Sequence, residues 1–251
     1  MNPAQTDFVD ILRAERRDIL NRMRDTQFTT LKAGYSQTQL ISHATYSPWL
    51  DDAEFGRIWA AMHAHTLVDK YRCYELYSLA KQLKKLPGAL MEIGVWRGGT
   101  AAVLGSVLPN KPLHLFDTFS GVAKADKAFD TLYAGGEHAD TDIEMVQTLL
   151  AGLGLTAHIH TGIFPDDTGA ALPEQVCFAH IDVDTYGSAK SSFLTLWPRV
   201  VAHGMVVFDD YGFFGCEGVT QAVDELVAQL EDVTFIYNLN GHAVLIKKAL
   251  P

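Results

Sequence analysis

The sequence has little of what marks a disulfide-bonded or zinc-binding protein. Its three cysteines, Cys73, Cys177 and Cys216, lie far apart and form no C-x-x-C pair. Neither a disulfide framework nor a cysteine-based zinc site is therefore expected, and the odd count fits a reducing compartment. The first residues are polar and no apolar run reaches membrane length, so we expect a cytoplasmic protein with no membrane as its partner.

Positive charge is also scarce. The chain has 20 lysines and arginines against 30 aspartates and glutamates, which gives a formal net charge of −10. A nucleic-acid-binding protein usually carries a basic surface, so nucleic acid is not expected as a partner. The one basic cluster, residues 11–25, alternates arginines with acids, as is typical of a solvated helix face.

Hydrophobic periodicity divides the chain in two. Before residue 88, apolar spacing predicts two helices, TDFVDILRAERRDILNRM (6–23) and EFGRIWAAMHAHTLVDKYRCYELYSLAKQLKKL (54–86), separated by a loop. From residue 88 on, short apolar strands alternate with helices, and residues 233–248 predict a hairpin that turns at Asn240-Gly241. We expect an α/β fold with a mostly parallel sheet, an antiparallel C-terminal hairpin and flanking helices, and we place the domain boundary between residues 87 and 88.

Acidic side chains stand where four of the predicted strands end. They are Glu92, Asp117, the pair Asp182 and Asp184, and the pair Asp209 and Asp210. In open parallel sheets, ligands bind beyond the carboxyl ends of the strands. This shared position is the strongest indication of a functional site.

The segment MEIGVWRGGT (91–100) predicts a glycine turn between a strand and a helix. Such a turn lets a ligand approach the backbone, and a carboxylate such as Asp117 can bind ribose hydroxyls. A dinucleotide fingerprint would need glycine at Trp96, and an acid at Glu92 is unfavourable beside a diphosphate. Glu92 instead suits a cofactor with a cationic end, such as the amino group of S-adenosylmethionine (SAM); a turn without a ligand is the alternative.

The four aspartates predict a metal site. Asp182 and Asp184 are two residues apart and share one face of a strand, and Asp209 and Asp210 end a neighbouring strand. Converging carboxylates repel unless a cation lies among them, and all-oxygen coordination favours Mg²⁺, Mn²⁺ or Ca²⁺ over zinc. We assign Asp182, Asp209 and Asp210 to the metal and Asp184 to the role of general base. Helix capping by Asp184 and by Asp209 or Asp210 is the alternative.

With these residues in view, the sequence resembles the macrocin O-methyltransferase family, Mg²⁺- and SAM-dependent enzymes that methylate sugar hydroxyls of antibiotics and related natural products. From about residue 85 to the C-terminus, the resemblance rests on the ordered set EIGVWRGGT, LHLFDTFSG, GIFPDDT, IDVDTYGSAKSSFLTLWPRV and GMVVFDDYGFFGCEGVTQAVDEL. It implies a Rossmann-like class I methyltransferase domain in residues 88–251, and we assign residues 1–87 to a helical lid or oligomerisation region. It also implies a site with SAM at Glu92, Gly94, Gly98, Thr100, Asp117 and Ser120, with Mg²⁺, or Mn²⁺ in its place, on Asp182, Asp209 and Asp210, and with Asp184 as the base.

The expected reaction is therefore methyl transfer to a hydroxyl of a deoxysugar or related glycoside, carried out by a homo-oligomer. Two alternatives share the same residues: a catechol-type O-methyltransferase, and a protein that binds SAM or metal without catalysis. A nicotinamide oxidoreductase is disfavoured by Trp96 and Glu92. The glycine-rich loop YAGGEHAD, which contains Glu137 and His138, could close over the substrate.

Overall fold

The computed structural model describes residues 3–25, 27–28, 33–38 and 40–249. It contains two compact units, Met1–Tyr46 and Ser47–Pro251. The boundary predicted between residues 87 and 88 therefore falls inside the second unit, because the helices that precede it pack against the first helix of the sheet domain.

In the first unit, α1 spans Pro3–Asp25, which confirms the helix predicted at residues 6–23. Two short strands, β1 (Gln27–Phe28) and β2 (Gln37–Thr38), pair antiparallel in the segment between the two predicted helices, where a loop was predicted. Part of that loop, residues 29–32 and 39, lies outside the described residues. The end of α1 is tied to the later chain, since Arg24 Nε donates to the carbonyl of Ile41 at 2.8 Å.

The long second helix predicted from periodicity is in fact two helices. α2 spans Ala53–Met62 and α3 spans Lys70–Gln82. Asp69 starts α3, because its carboxylate accepts hydrogen bonds from the backbone N–H groups of Tyr71 and Arg72 at 2.8 and 3.2 Å. An N-cap aspartate of this kind begins a new helix without interrupting the apolar spacing, so periodicity alone did not reveal the break.

The second unit contains a seven-stranded sheet. Its strands are β3 (Ala89–Ile93), β4 (Leu113–Asp117), β5 (His158–Thr161), β6 (Val176–Ile181), β7 (Val200–Phe208), β8 (Val233–Tyr237) and β9 (Ala243–Lys247). Their order is β5-β4-β3-β6-β7-β9-β8, and β9 is antiparallel to both of its neighbours. The predicted parallel sheet and C-terminal hairpin are both confirmed.

Helices cover both faces of this sheet. The remaining ones are α4 (Gly99–Val107), α5 (Ile143–Gly152), α6 (Tyr186–Leu196) and α7 (Glu217–Gln229). Alternate strand residues enter two hydrophobic cores, one shared with α2 to α5 and the other with α6 and α7. Strands buried on both faces are continuously apolar, which is why they were visible in the sequence. In the described part of the chain, no helix has the length and apolar character needed to cross a bilayer.

Candidate active site

A cleft of about 270 Å³ opens at the carboxyl ends of the central strands. Strands β4 and β5 lie on one side of β3, and β6 and β7 lie on the other, so the strand order reverses between β3 and β6. The cleft lies at this reversal, which is the usual ligand position in such sheets. The predicted site residues that line it are Gly94, Thr100, Asp117, Asp182, Asp184, Asp209 and Asp210. The fold thus brings all four aspartates and three of the six cofactor candidates together.

The other three cofactor candidates do not line the cleft. Glu92 is fully buried, and its Oε1 lies 2.7 Å from Nδ1 of His180 on the neighbouring strand. Ser120 is exposed, and Gly98 precedes α4 with a φ of 85°. Since strand side chains alternate between faces, Glu92 points into the core beside α2 to α5 rather than out of the strand end. Contact between Glu92 and a cofactor amino group stays a prediction, and the buried position of the Glu92 side chain does not favour it.

Asp117 holds the glycine turn in place. Its Oδ2 accepts hydrogen bonds from the backbone N–H groups of Val95 and Trp96 at 2.6 and 2.8 Å, and its Oδ1 accepts from Phe119 at 2.7 Å. A carboxylate can accept about four hydrogen bonds, so capacity remains for a ribose hydroxyl. Asp117 thus fixes the turn and still faces the cleft.

Gly94 is required by the close approach of two strand ends. Its φ is 83°, and a Cβ at this position would lie 1.7 Å from the carbonyl oxygen of Asp182. We expect Gly94→Ala to lower the free energy of unfolding by about 3 kcal/mol or more, through strain and displacement of Asp182. The control is Gly152→Ala in α5, where an added Cβ meets nothing within 4 Å and should stabilise by about 0.5–1 kcal/mol. Urea unfolding measures both, and equal midpoints for the two variants would contradict this account.

Three carboxylates meet at what we call the aspartate rim: Asp182, Asp209 and Asp210. One ligand oxygen from each lies within 4.8 Å of the other two. Burial, followed by the negative charge of Asp209, raises the pKa of both Asp182 and Asp210 well above the usual value. Like charges this close are stabilised by a bound cation, and the all-oxygen donor set fits Mg²⁺ or Mn²⁺.

Two side chains from distant segments contact Asp209. Arg72 Nη1, on α3, lies 2.6 Å from Asp209 Oδ1, and His242 Nε2, just before β9, lies 3.1 Å from the same oxygen. Burial alone would raise the pKa of Asp209, but the contact with His242 and the charge of Arg72 hold it well below the usual value. Sequence reasoning missed both residues; the available signals were an arginine among apolar helix positions and a histidine directly after the Asn240-Gly241 turn.

Asp184 lies beside the aspartate rim, and its backbone has a φ of 61°. Burial raises the pKa of Asp184, while a hydrogen bond from Tyr133, another residue of the cleft, opposes the rise. A carboxylate with a raised pKa inside a cleft is suited to accept a proton.

The helix-capping alternative is wrong for these aspartates. Thr185 is the cap residue of α6 and Cys216 that of α7. The first N–H of α6, from Tyr186, instead donates to Asp130 Oδ1 at 2.9 Å, a partner supplied by a distant loop. The aspartates are therefore not explained by hydrogen bonds to the backbone N–H groups at the starts of α6 and α7.

In the glycine-rich loop, the two candidate residues differ. His138 lines the cleft with Tyr133. The carboxylate of Glu137 instead accepts hydrogen bonds from the N–H groups of Ala134 and Gly135 at 2.8 and 2.9 Å, so it shapes the loop. The loop thus supplies cleft-lining side chains, and Glu137 supports its conformation.

Comparison with solved structures gives the class of fold. The chain shares its fold with solved methyltransferases: NovP (TM-score 0.66, 23% identity, 74% of this chain and 83% of that one) and CalS11, a calicheamicin methyltransferase (TM-score 0.59, 19% identity, 81% and 94%). TomG from Streptomyces achromogenes, solved in complex with SAM, has a TM-score of 0.53 at 16% identity over 79% of this chain and 91% of that one. This is the Rossmann-like fold of class I SAM-dependent methyltransferases.

Sequence comparison then gives the family. A family model described as macrocin O-methyltransferase (TylF) matches residues 12–248, and the chain belongs to this family. A relative from Streptomyces olivaceus, 8-demethyl-8-(2,3-dimethoxy-alpha-L-rhamnosyl)-tetracenomycin-C 4'-O-methyltransferase, is 30% identical over 185 residues, 67% of this chain and 70% of the relative. Mycinamicin III 3''-O-methyltransferase from Micromonospora griseorubida is 26% identical over 171 residues, 61% and 67% of the two chains. The protein is a SAM-dependent O-methyltransferase.

Proposed function

We propose that this protein methylates a hydroxyl of a deoxysugar carried by a natural product, with SAM as methyl donor and Mg²⁺ or Mn²⁺ at the aspartate rim. One observation carries the proposal: the ligand oxygens of Asp182, Asp209 and Asp210 lie within 4.8 Å of one another, in the same cleft as Asp184. The names of two relatives support the sugar acceptor, since one contains a rhamnosyl group with a 4'-O-methyl position and the other a 3''-O-methyl position.

The residues of the cleft divide into two groups by position. Gly94, Thr100 and Asp117 lie around the turn that follows β3, where a cofactor binds in this fold. The aspartate rim lies next to this turn, at the ends of β6 and β7. An acceptor bound between the two groups has its hydroxyl beside the aspartates and faces the methyl donor. Holding the two reactants in this geometry contributes several kcal/mol to the reduction of the barrier.

Proton removal is assigned to Asp184. When bound, SAM supplies the methyl group and a divalent cation supplies positive charge beside the reacting hydroxyl. Asp184 lies close to the rim, because a carboxylate oxygen of Asp184, a carboxylate oxygen of Asp210 and Sγ of Cys216 are within 4.8 Å of one another. The carboxylate of Asp184 can therefore take the hydroxyl proton. Tyr133 lines the same cleft and opposes the rise in the pKa of Asp184 that burial causes.

The test is a methyl-transfer assay with radiolabelled SAM on two acceptor sets, deoxysugar glycosides with neighbouring hydroxyls and catechols of similar size. We expect methylation of a glycoside that stops in EDTA and returns with Mg²⁺ or Mn²⁺. Turnover of catechols alone would replace the proposal by the catechol-type alternative. Turnover that persists in EDTA after dialysis would remove the metal from it.

A further inference from the structure

Two buried histidines lie next to the aspartate rim, each held by a buried or half-buried carboxylate. Nδ1 of His180 lies 2.7 Å from Glu92 Oε1, and Nδ1 of His242 lies 2.6 Å from Glu75 Oε2. Both imidazoles are 0% exposed. By strand alternation, His180 and Glu92 point to the same side of the sheet, the side covered by α3, which supplies Glu75.

This pairing fixes which nitrogen of each ring is left for a ligand. A carboxylate that accepts the Nδ1 proton leaves Nε2 as the free nitrogen, and metal-binding histidines are held in this way in most metalloproteins. Nε2 of His180 is buried and has no hydrogen-bond partner among the described residues. Nε2 of His242 faces Asp209 Oδ1 at 3.1 Å. The three ligand atoms of His180, His242 and Asp209 lie within 4.8 Å of one another.

The buried ring nitrogen and the carboxylates around the two histidines would both be stabilised by a bound group. An unpartnered polar nitrogen in the interior is costly, and it is usually explained by a water, a proton or an ion. Three carboxylates, Glu75, Glu92 and Asp209, surround the two rings, and Arg72 is the guanidinium that contacts Asp209. The balance favours a cation, and two imidazole nitrogens with one carboxylate favour a transition metal over Mg²⁺.

We propose that His180, His242 and Asp209 form a second metal position, beside the aspartate rim and sharing Asp209 with it, that takes a transition-metal dication such as Zn²⁺ or Co²⁺. Glu92 and Glu75 are its positioning residues, because they orient the two imidazoles. The proposal concerns binding and does not depend on methyl transfer, so failure of the methylation assay leaves it standing.

The first experiment is optical titration of the full chain with Co²⁺ in saturating Mg²⁺, which keeps the aspartate rim occupied. We expect one equivalent of Co²⁺ with the visible absorption of mixed nitrogen and oxygen ligation. His180→Gln should abolish the absorption, and Glu92→Gln should weaken Co²⁺ binding by roughly 10–100-fold. Asp182→Asn, which changes the rim and not the histidine pair, should keep the absorption.

The matched control is His160→Gln on β5. His160 is also a histidine with a ring-nitrogen partner, 3.2 Å from His114 Nδ1, but it lies on the edge strand and does not line the cleft. Unchanged Co²⁺ absorption in this variant supports the buried site. Loss of absorption in His160→Gln with retention in His180→Gln would assign the metal to the edge histidines and overturn the proposal.

A second measurement uses the unaltered protein and so does not depend on the folding of any variant. Crystals are soaked in Zn²⁺ with excess Mg²⁺, and anomalous differences are collected at the zinc edge. A peak within bonding distance of Nε2 of His180 and His242 is expected. A peak on the aspartate rim only, or no peak at all, would mean that a proton or a water occupies the position and would overturn the proposal.

Discussion

Replacing Asp182 with alanine should abolish methyl transfer, with turnover at least about 10³-fold lower, because a metal next to a reacting oxygen contributes several kcal/mol. Asp182 is one of the three residues of the aspartate rim, and its half-buried carboxylate lies beside Asp209 and Asp210. Removing it leaves two ligands and weakens cation binding. Activity and Mn²⁺ affinity should therefore fall together in assays over a range of Mn²⁺ concentrations.

SAM affinity separates this effect from a collapse of the cleft. Titration calorimetry should show SAM binding to Asp182→Ala within a few-fold of the unaltered protein, since the turn around Gly94 and Asp117 is unchanged. The control is Asp51→Ala, an exposed aspartate outside the cleft, which should retain full activity. Full turnover by Asp182→Ala in EDTA would refute the metal assignment.

Asp184→Asn should lower kcat by roughly 10²–10⁴-fold, the usual contribution of a general base. Asparagine keeps the size of the side chain, but it cannot accept the hydroxyl proton. The KM values for acceptor and SAM, and the affinity for Mn²⁺, should stay within a few-fold. This split between kcat and binding distinguishes a base from a metal ligand, for which Mn²⁺ affinity would fall as well.

The matched control for that variant is Asp166→Asn. Asp166 is a half-exposed aspartate that pairs with Lys124 at 3.0 Å and does not line the cleft. Its replacement should leave kcat unchanged. If Asp184→Asn turned over as fast as Asp166→Asn, another group would have to accept the proton and the assignment of Asp184 would be lost.

The sequence by itself determined the class of fold and the place of the site. Strands buried on both faces are continuous apolar runs, and Asn240-Gly241 allows a tight turn, so both signals are local and visible. The aspartates after β6 and β7 were also visible, since parallel strands end at a common edge. Each of these signals depends on a few neighbouring residues, so it can be recognised before the fold is known.

Only the tertiary structure shows which side chains contact the acidic residues at the strand ends. Arg72 and His242 are 170 residues apart in the chain, counted from their numbers, and meet at the same oxygen of Asp209. Glu92, predicted from its place before the glycine turn to bind the cofactor, pairs with His180 inside the sheet. Which face a strand residue occupies, and which distant side chain it meets there, depends on the register between strands and on the helix packed above them. No local pattern carries that information, because the partners become neighbours only when the chain is folded.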